Sequence, residues 1–109
     1  MGATKTQLFT ERELELAALA KAFAHPARIS ILLHLLQADA CITGDLVQEV
    51  GLAQPTVSQH LRELKQAGLI QGNVEGKSVC YCIDPKRWAQ VKNLFEELFS
   101  RFKGFDTCC

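Results

Sequence analysis

Apolar positions recur with a helical period along most of this chain and with a period of two in one stretch. From Glu11 to Ala24, the residues Leu16, Leu19, Ala20 and Phe23 share one stripe. The acids Glu11, Glu13 and Glu15 stand near the start, where the helix dipole favours negative charge. His25-Pro26 ends this helix, because a residue before proline avoids the helical region. Pro26 then suits the first turn of a second helix, which reaches about Ala38. Ile29, Ile31, Leu32, Leu33, Leu35 and Leu36 make that helix apolar over most of its circumference, which predicts a central buried element. Thr43 is placed to cap a short third helix over about Gly44 to Val50, and Gly51 supplies the turn that follows.

A fourth helix is predicted over about Gln54 to Ala67, with Pro55 in its first turn and Gly68 as its stop. Val57, Leu61 and Leu64 lie at i, i+4 and i+7 and form one narrow apolar stripe. Thr56, Ser58, Gln59 and Arg62 lie off it. Short hydroxyl and amide side chains followed by a guanidinium suit the reading of base edges in a major groove. A short helix, a glycine turn and a second helix in succession is the helix-turn-helix order.

The period then changes to two. Leu69 to Val74 and Ser78 to Ile83 read as strands joined at Glu75-Gly76-Lys77, with Val79, Tyr81 and Ile83 on one face and Cys80 and Cys82 on the other. Asp84-Pro85 opens a last helix predicted to run to about Lys103. Its residues Trp88, Val91, Phe95, Leu98 and Phe102 repeat at spacings of three and four, a heptad seam. With Leu16, Leu19 and Phe23 of the first helix, this seam is the predicted dimer interface. The pattern predicts a mainly α fold with a small β-hairpin (α+β), ordered α-α-α-α-β-β-α. It occupies one domain over residues 1–109, with 11–103 as core and 104–109 as a flexible tail ending in cysteines.

Composition changes this picture little. A hydrophobic content of 48% in 109 residues fits one globular domain and excludes disorder. The formal net charge is zero, yet residues 54–109 carry eight Lys/Arg against six Asp/Glu and residues 1–53 four against six. Met1 to Thr10 has no apolar core or cleavage pattern, and no apolar run approaches a membrane span of about 20 residues, so a cytoplasmic protein with no membrane partner is expected. Met1-Gly2 with Thr6 fits a loose myristoylation pattern, and Cys108-Cys109 is similar to doubly prenylated tails; both modifications need eukaryotic enzymes, whereas the body of the chain looks prokaryotic. Five cysteines in such a chain read as thiols rather than disulfides. There is no nucleophile with an adjacent base, no glycine-rich phosphate loop and no paired catalytic carboxylates, so an enzyme is not expected.

The order of elements and four local stretches resemble the ArsR/SmtB family of small winged helix-turn-helix repressors. Ala24-His25-Pro26-Ala27-Arg28-Ile29 is similar to the family's entry to its second helix, and Gly44-Asp45-Leu46 to the start of its third. Gln54-Pro55-Thr56-Val57-Ser58-Gln59-His60-Leu61 is similar to its recognition helix. Ala67-Gly68-Leu69-Ile70 and Glu75-Gly76-Lys77 match the turn into the wing and its tip. The resemblance covers about residues 11–103. It implies a homodimer on double-stranded operator DNA of two-fold symmetry, with repression relieved by an inducer. It places Gln54, Thr56, Ser58, Gln59, His60 and Arg62 at the DNA, with Lys77 at the wing tip.

For the signal, the resemblance is partial. The family's zinc site on the last helix has no counterpart, because that helix lacks histidine. The family's arsenic site uses Cys-x-Cys just before the third helix; here Cys41 is present, Thr43 holds the partner position, and Gly44 shifts the register. Soft ions prefer thiolates. Cys108 and Cys109 can supply two more, so Cys41, Cys108 and Cys109 form the expected arsenite or antimonite site, with no obligatory cofactor. Thiol redox or persulfide sensing, and a winged-helix protein-interaction module without inducer, are the alternatives. Cys80 and Cys82 read as small residues of the wing sheet, His25 as a local cap, and His34 as a satisfied core residue.

Overall fold

A capping box opens the first helix: the Thr10 hydroxyl accepts from the Glu13 amide at 3.1 Å, and the Glu13 carboxylate accepts from the Thr10 amide at 2.9 Å. The computed structural model describes residues 8–38, 41–42, 51–75 and 78–104. The elements are α1 (Glu11–Phe23), α2 (Pro26–Gln37), α3 (Gln54–Gln66), β1 (Ile70–Glu75), β2 (Ser78–Ile83) and α4 (Pro85–Ser100). The predicted helix over 44–50, the tip residues Gly76 and Lys77, and Cys108 and Cys109 lie outside the described residues.

Each described boundary has a local cause. His25 is the N-cap of α2, its Nδ1 accepting from the Ala27 amide at 3.0 Å, and Pro26 follows in the first turn. This local capping role is the one expected for His25. Gly68 ends α3 at φ +83, with Gly68 N–H donating to Lys65 O at 3.0 Å and Leu69 N–H to Leu64 O at 3.1 Å. That pair of bonds is a Schellman motif, which needs a left-handed residue where the glycine stands. Asp84 caps α4 through the Arg87 amide at 3.1 Å.

β1 and β2 form an antiparallel hairpin in the register Ile70↔Ile83 to Glu75↔Ser78. A further bridge, Ile42↔Tyr81, adds the chain ahead of α3 to the outer edge of β2. Ile31, Val57, Leu64 and Leu69 are fully buried at the centre, where α2, α3 and the base of the hairpin meet.

Two expectations are corrected. The second helix is buried on one face only: Ala27, Ile31, Leu32 and Leu35 are inside, whereas Ile29, Leu33 and Leu36, also spaced i, i+4, i+7, stay exposed. The last helix stops at Ser100 rather than Lys103. Its end tightens into i→i−3 bonds, Arg101 N–H to Leu98 O and Phe102 N–H to Phe99 O, before Gly104 turns the chain at φ +88. Phe102 therefore lies beyond the helix.

Candidate nucleic-acid interface

α3 has two unlike faces. Val57, Leu61 and Leu64 are buried, as their spacing requires, and His60 joins them. Gln54, Thr56, Ser58, Gln59 and Arg62 are exposed. Outward polar groups interact along the helix: Arg62 Nη1 donates to Gln59 Oε1 at 2.8 Å, and Gln59 Nε2 donates to Glu63 Oε1 at 3.4 Å. The start of α3 has no side-chain cap. Among the described residues, the five exposed side chains and this helix start form one polar surface of hydrogen-bonding groups, able to engage phosphates and base edges.

His60 departs from the expected position. It is 7% exposed, and its Nδ1 accepts from Arg28 Nε at 3.1 Å. Its ring lies against that of His25, with centroids 4.4 Å apart. Burial lowers its pKa, the charges of His25 and Arg28 lower it further, and Glu63 opposes them. His60 thus fastens α3 to the start of α2. Periodicity placed it beside the apolar stripe, but only the paired donor on Arg28 makes a buried imidazole affordable.

The wing is rooted in the helix it follows. Lys65 Nζ stands 3.3 Å and Tyr81 Cε1 3.2 Å from the place a Cβ on Gly72 would occupy, so the lysine and the ring close over bare backbone there. Asp84 N–H donates to Leu69 O at 3.0 Å and ties the far end of β2 back to the same turn.

Of the residues predicted for a dimer interface, Leu19, Phe23, Trp88, Val91 and Phe95 pack against one another or the core within the chain. Leu19 and Val91 are core residues, and Phe23 meets Trp88 and Phe95 edge to face at 6.3 and 6.1 Å. The seam curls onto α1 because α1 supplies the apolar stripe it lacks. Ion pairs border this contact: Arg12 with Glu97 at 2.8 Å and Arg87 with Glu15 at 3.1 Å. Leu16 is half-buried, and Leu98 and Phe102 are exposed.

The resemblance groups Cys41 with the tail cysteines. The structure sets Cys41 across from Cys82, expected from the alternation to be a small residue of the wing sheet, while Cys80 is buried. The Cys82 thiol is pushed up to about 11, first by its hydrogen bond to Cys41 and then by burial. A signal for this pairing was absent from the sequence, since nothing local showed that the chain at Cys41 would dock on β2.

A polar-faced helix behind a glycine turn, followed by a two-stranded hairpin and flanked by packed helices, defines a winged helix-turn-helix protein. Residues 25–71 match the model of the bacterial regulatory protein arsR family. The biofilm growth-associated repressor of Xylella fastidiosa is 30% identical over 82% of this chain and 77% of its own length. The transcriptional regulator CmtR of Mycobacterium bovis is 40% identical over 73% of this chain and 67% of its own. The crystal structure of the repressor BigR from Xylella fastidiosa superposes with a TM-score of 0.63 at 28% identity, covering 87% of this chain and 93% of that one. An ArsR family regulator at 19% identity shares the fold, with a TM-score of 0.72 over 89% of this chain and 99% of that one. The chain belongs to the arsR family, whose members are winged helix-turn-helix transcriptional repressors and not enzymes. Among the described residues no single helix is long and apolar enough to cross a membrane.

Proposed function

We propose that this protein represses transcription in the cytoplasm as a homodimer on a two-fold symmetric operator, and leaves the DNA when arsenite or antimonite binds its cysteines. The observation that carries the reading is the division of α3 into a buried face and an exposed face of Gln54, Thr56, Ser58, Gln59 and Arg62. In a dimer, two such helices set about one DNA turn apart (roughly 34–36 Å) enter successive major grooves. Lys77, which the sequence places between the two strands, adds a contact to the DNA backbone or minor groove in this reading.

The dimer part draws on apolar surface that one chain leaves uncovered. Leu98 lines a cleft of about 300 Å³ with Leu16 and Thr10. Nearby in sequence, Phe99 is 70% and Phe102 65% exposed. Exposed aromatic surface on this scale at one end of a helix is what a subunit contact covers. The inducer part draws on Cys41, with Cys108 and Cys109 as additional thiols in the reading.

An electrophoretic shift with the promoter of the protein's own gene at low salt is the direct test, since phosphate contacts are strongest there. The reading expects a shifted band that arsenite abolishes. No shift at low salt removes DNA binding; a shift insensitive to arsenite but abolished by an oxidant replaces the inducer with a redox signal.

A further inference from the structure

We infer that Cys41 and Cys82 form a cross-strand dithiol site that chelates a trivalent arsenical through two sulfurs. The inference deepens the arsenite reading above and rests on it for its biological meaning, though not for its chemistry.

The site follows from backbone pairing. Ile42 N–H donates to Tyr81 O at 2.8 Å, and Tyr81 N–H donates to Ile42 O at 2.9 Å. Two residues that exchange both bonds are the hydrogen-bonded pair of an antiparallel ladder. The adjoining position is then the non-hydrogen-bonded pair, which sets Cys41 directly opposite Cys82. Cα atoms there approach to about 4.5 Å, and both side chains stand on the same face. This pairing sets the two thiols side by side, and the nearness of Cys41 raises the pKa of the Cys82 thiol. Both residues are only half-buried, which leaves an approach for a small solute.

Two thiols select the ligand. Divalent zinc wants about four ligands, and the described residues hold no group of three or more His, Cys, Asp or Glu side chains that could bind a metal. Trivalent arsenic is pyramidal and is satisfied by two sulfurs and one non-protein substituent. It also spares the site a charge. In the exchange, two As–S bonds form and two As–OH bonds break. Each departing hydroxide takes the proton of one thiol and leaves as water, so arsenic stays trivalent and no electron is moved. Binding a divalent cation must release two protons into solution, whereas this exchange releases none. The resulting S–As–S link clasps β2 to the segment that leads, through residues 43–50, toward α3.

Phenylarsine oxide is the probe, because its single organic substituent leaves two exchangeable positions. The full chain carrying Cys108→Ser and Cys109→Ser is titrated with it, and intact mass and titratable thiols are read. The expected result is one adduct and the loss of two thiols, with roughly 100-fold or greater weakening in Cys41→Ser or Cys82→Ser, the usual size of a lost chelate, and no weakening in Cys80→Ser. Because a serine in the sheet can disturb folding, the wild-type chain is also alkylated with and without the arsenical; selective protection of Cys41 and Cys82 supports the site. An adduct that survives Cys82→Ser, or protection that falls on other cysteines, overturns it. Binding at this pair with no effect on the promoter complex supports the site and sinks the inducer reading. Promoter release by arsenite that persists in Cys82→Ser does the reverse.

Discussion

Arg28 Nε donates a hydrogen bond to His60 Nδ1 at 3.1 Å, joining the first turn of α2 to the middle of α3 across 32 residues of sequence. Arg28 Nη1 also reaches Ala22 O at 3.4 Å, so one guanidinium holds three helices in register. The bond needs His60 neutral, since a protonated ring has no acceptor.

Stability should therefore fall with acidification. The folded-state pKa of His60 is lowered, so below its ordinary value of 6.5 the unfolded chain takes up a proton more readily than the folded one. The contribution is complete above about pH 6.5 and is lost as the pH falls toward the lowered folded value. Urea midpoints measured between pH 8 and pH 5 should drop on the acid side, and His60→Gln, which keeps an acceptor and cannot titrate, should flatten that limb. An unchanged slope in His60→Gln would assign the pH dependence to another group.

The exposed face of α3 should separate specificity from attraction. Gln59→Ala is expected to weaken operator binding by about 1–3 kcal/mol, roughly ten- to a hundredfold, while leaving non-operator DNA almost unaffected. Arg62→Ala should weaken both and reduce the slope of log affinity against log salt by about one, the mark of a phosphate contact. Fluorescence anisotropy across a salt series distinguishes the two.

Gly68 and Gly51 offer a matched pair of backbone tests. Both have positive φ, +83 and +79, but a Cβ at Gly68 would stand 3.2 Å from Arg87 Cγ, whereas one at Gly51 meets nothing within 4 Å. Gly51→Ala should cost about 1–2 kcal/mol, the left-handed penalty alone. Gly68→Ala should cost more, by whatever Arg87 loses in giving way, including its ion pair with Glu15 at 3.1 Å. Thermal unfolding of the two variants reads the difference directly.

Two leucines on the α1–α4 side should behave oppositely. Leu19 is 3% exposed and Leu98 51%. Leu19→Ala should destabilise the fold by about 2–5 kcal/mol. Leu98→Glu should leave helical circular dichroism intact and shift the sedimentation mass from two chains to one. A dimeric Leu98→Glu variant would place the subunit contact elsewhere.

Periodicity located the elements well because each is governed by neighbours in sequence. The stripe Val57, Leu61, Leu64 and the stop at Gly68 are local facts, and the structure keeps them. What periodicity could not supply is partner choice. Trp88, Val91 and Phe95 form a heptad seam whether they meet a second chain or α1 of their own. Deciding between them requires knowing that Phe23 stands within reach. Likewise Cys41 and Cys82 are far apart in the chain and are brought together only by the bridge Ile42↔Tyr81. The family match places His60 at the DNA, whereas its burial depends on Arg28, a residue the sequence ties to the family match but not to α3.

The split of α3 into inner and outer sets has an evolutionary corollary. Val57, His60, Leu61 and Leu64 answer to the fold, whereas Thr56, Ser58, Gln59 and Arg62 make no contribution to the core. Under the proposed function, mutations in the outer set would leave the scaffold standing while they change the operator that is read. On the same reading, a gene duplicate would acquire a new regulon by drift at a few solvent-facing positions, with the cysteines of the proposed inducer site inherited unchanged.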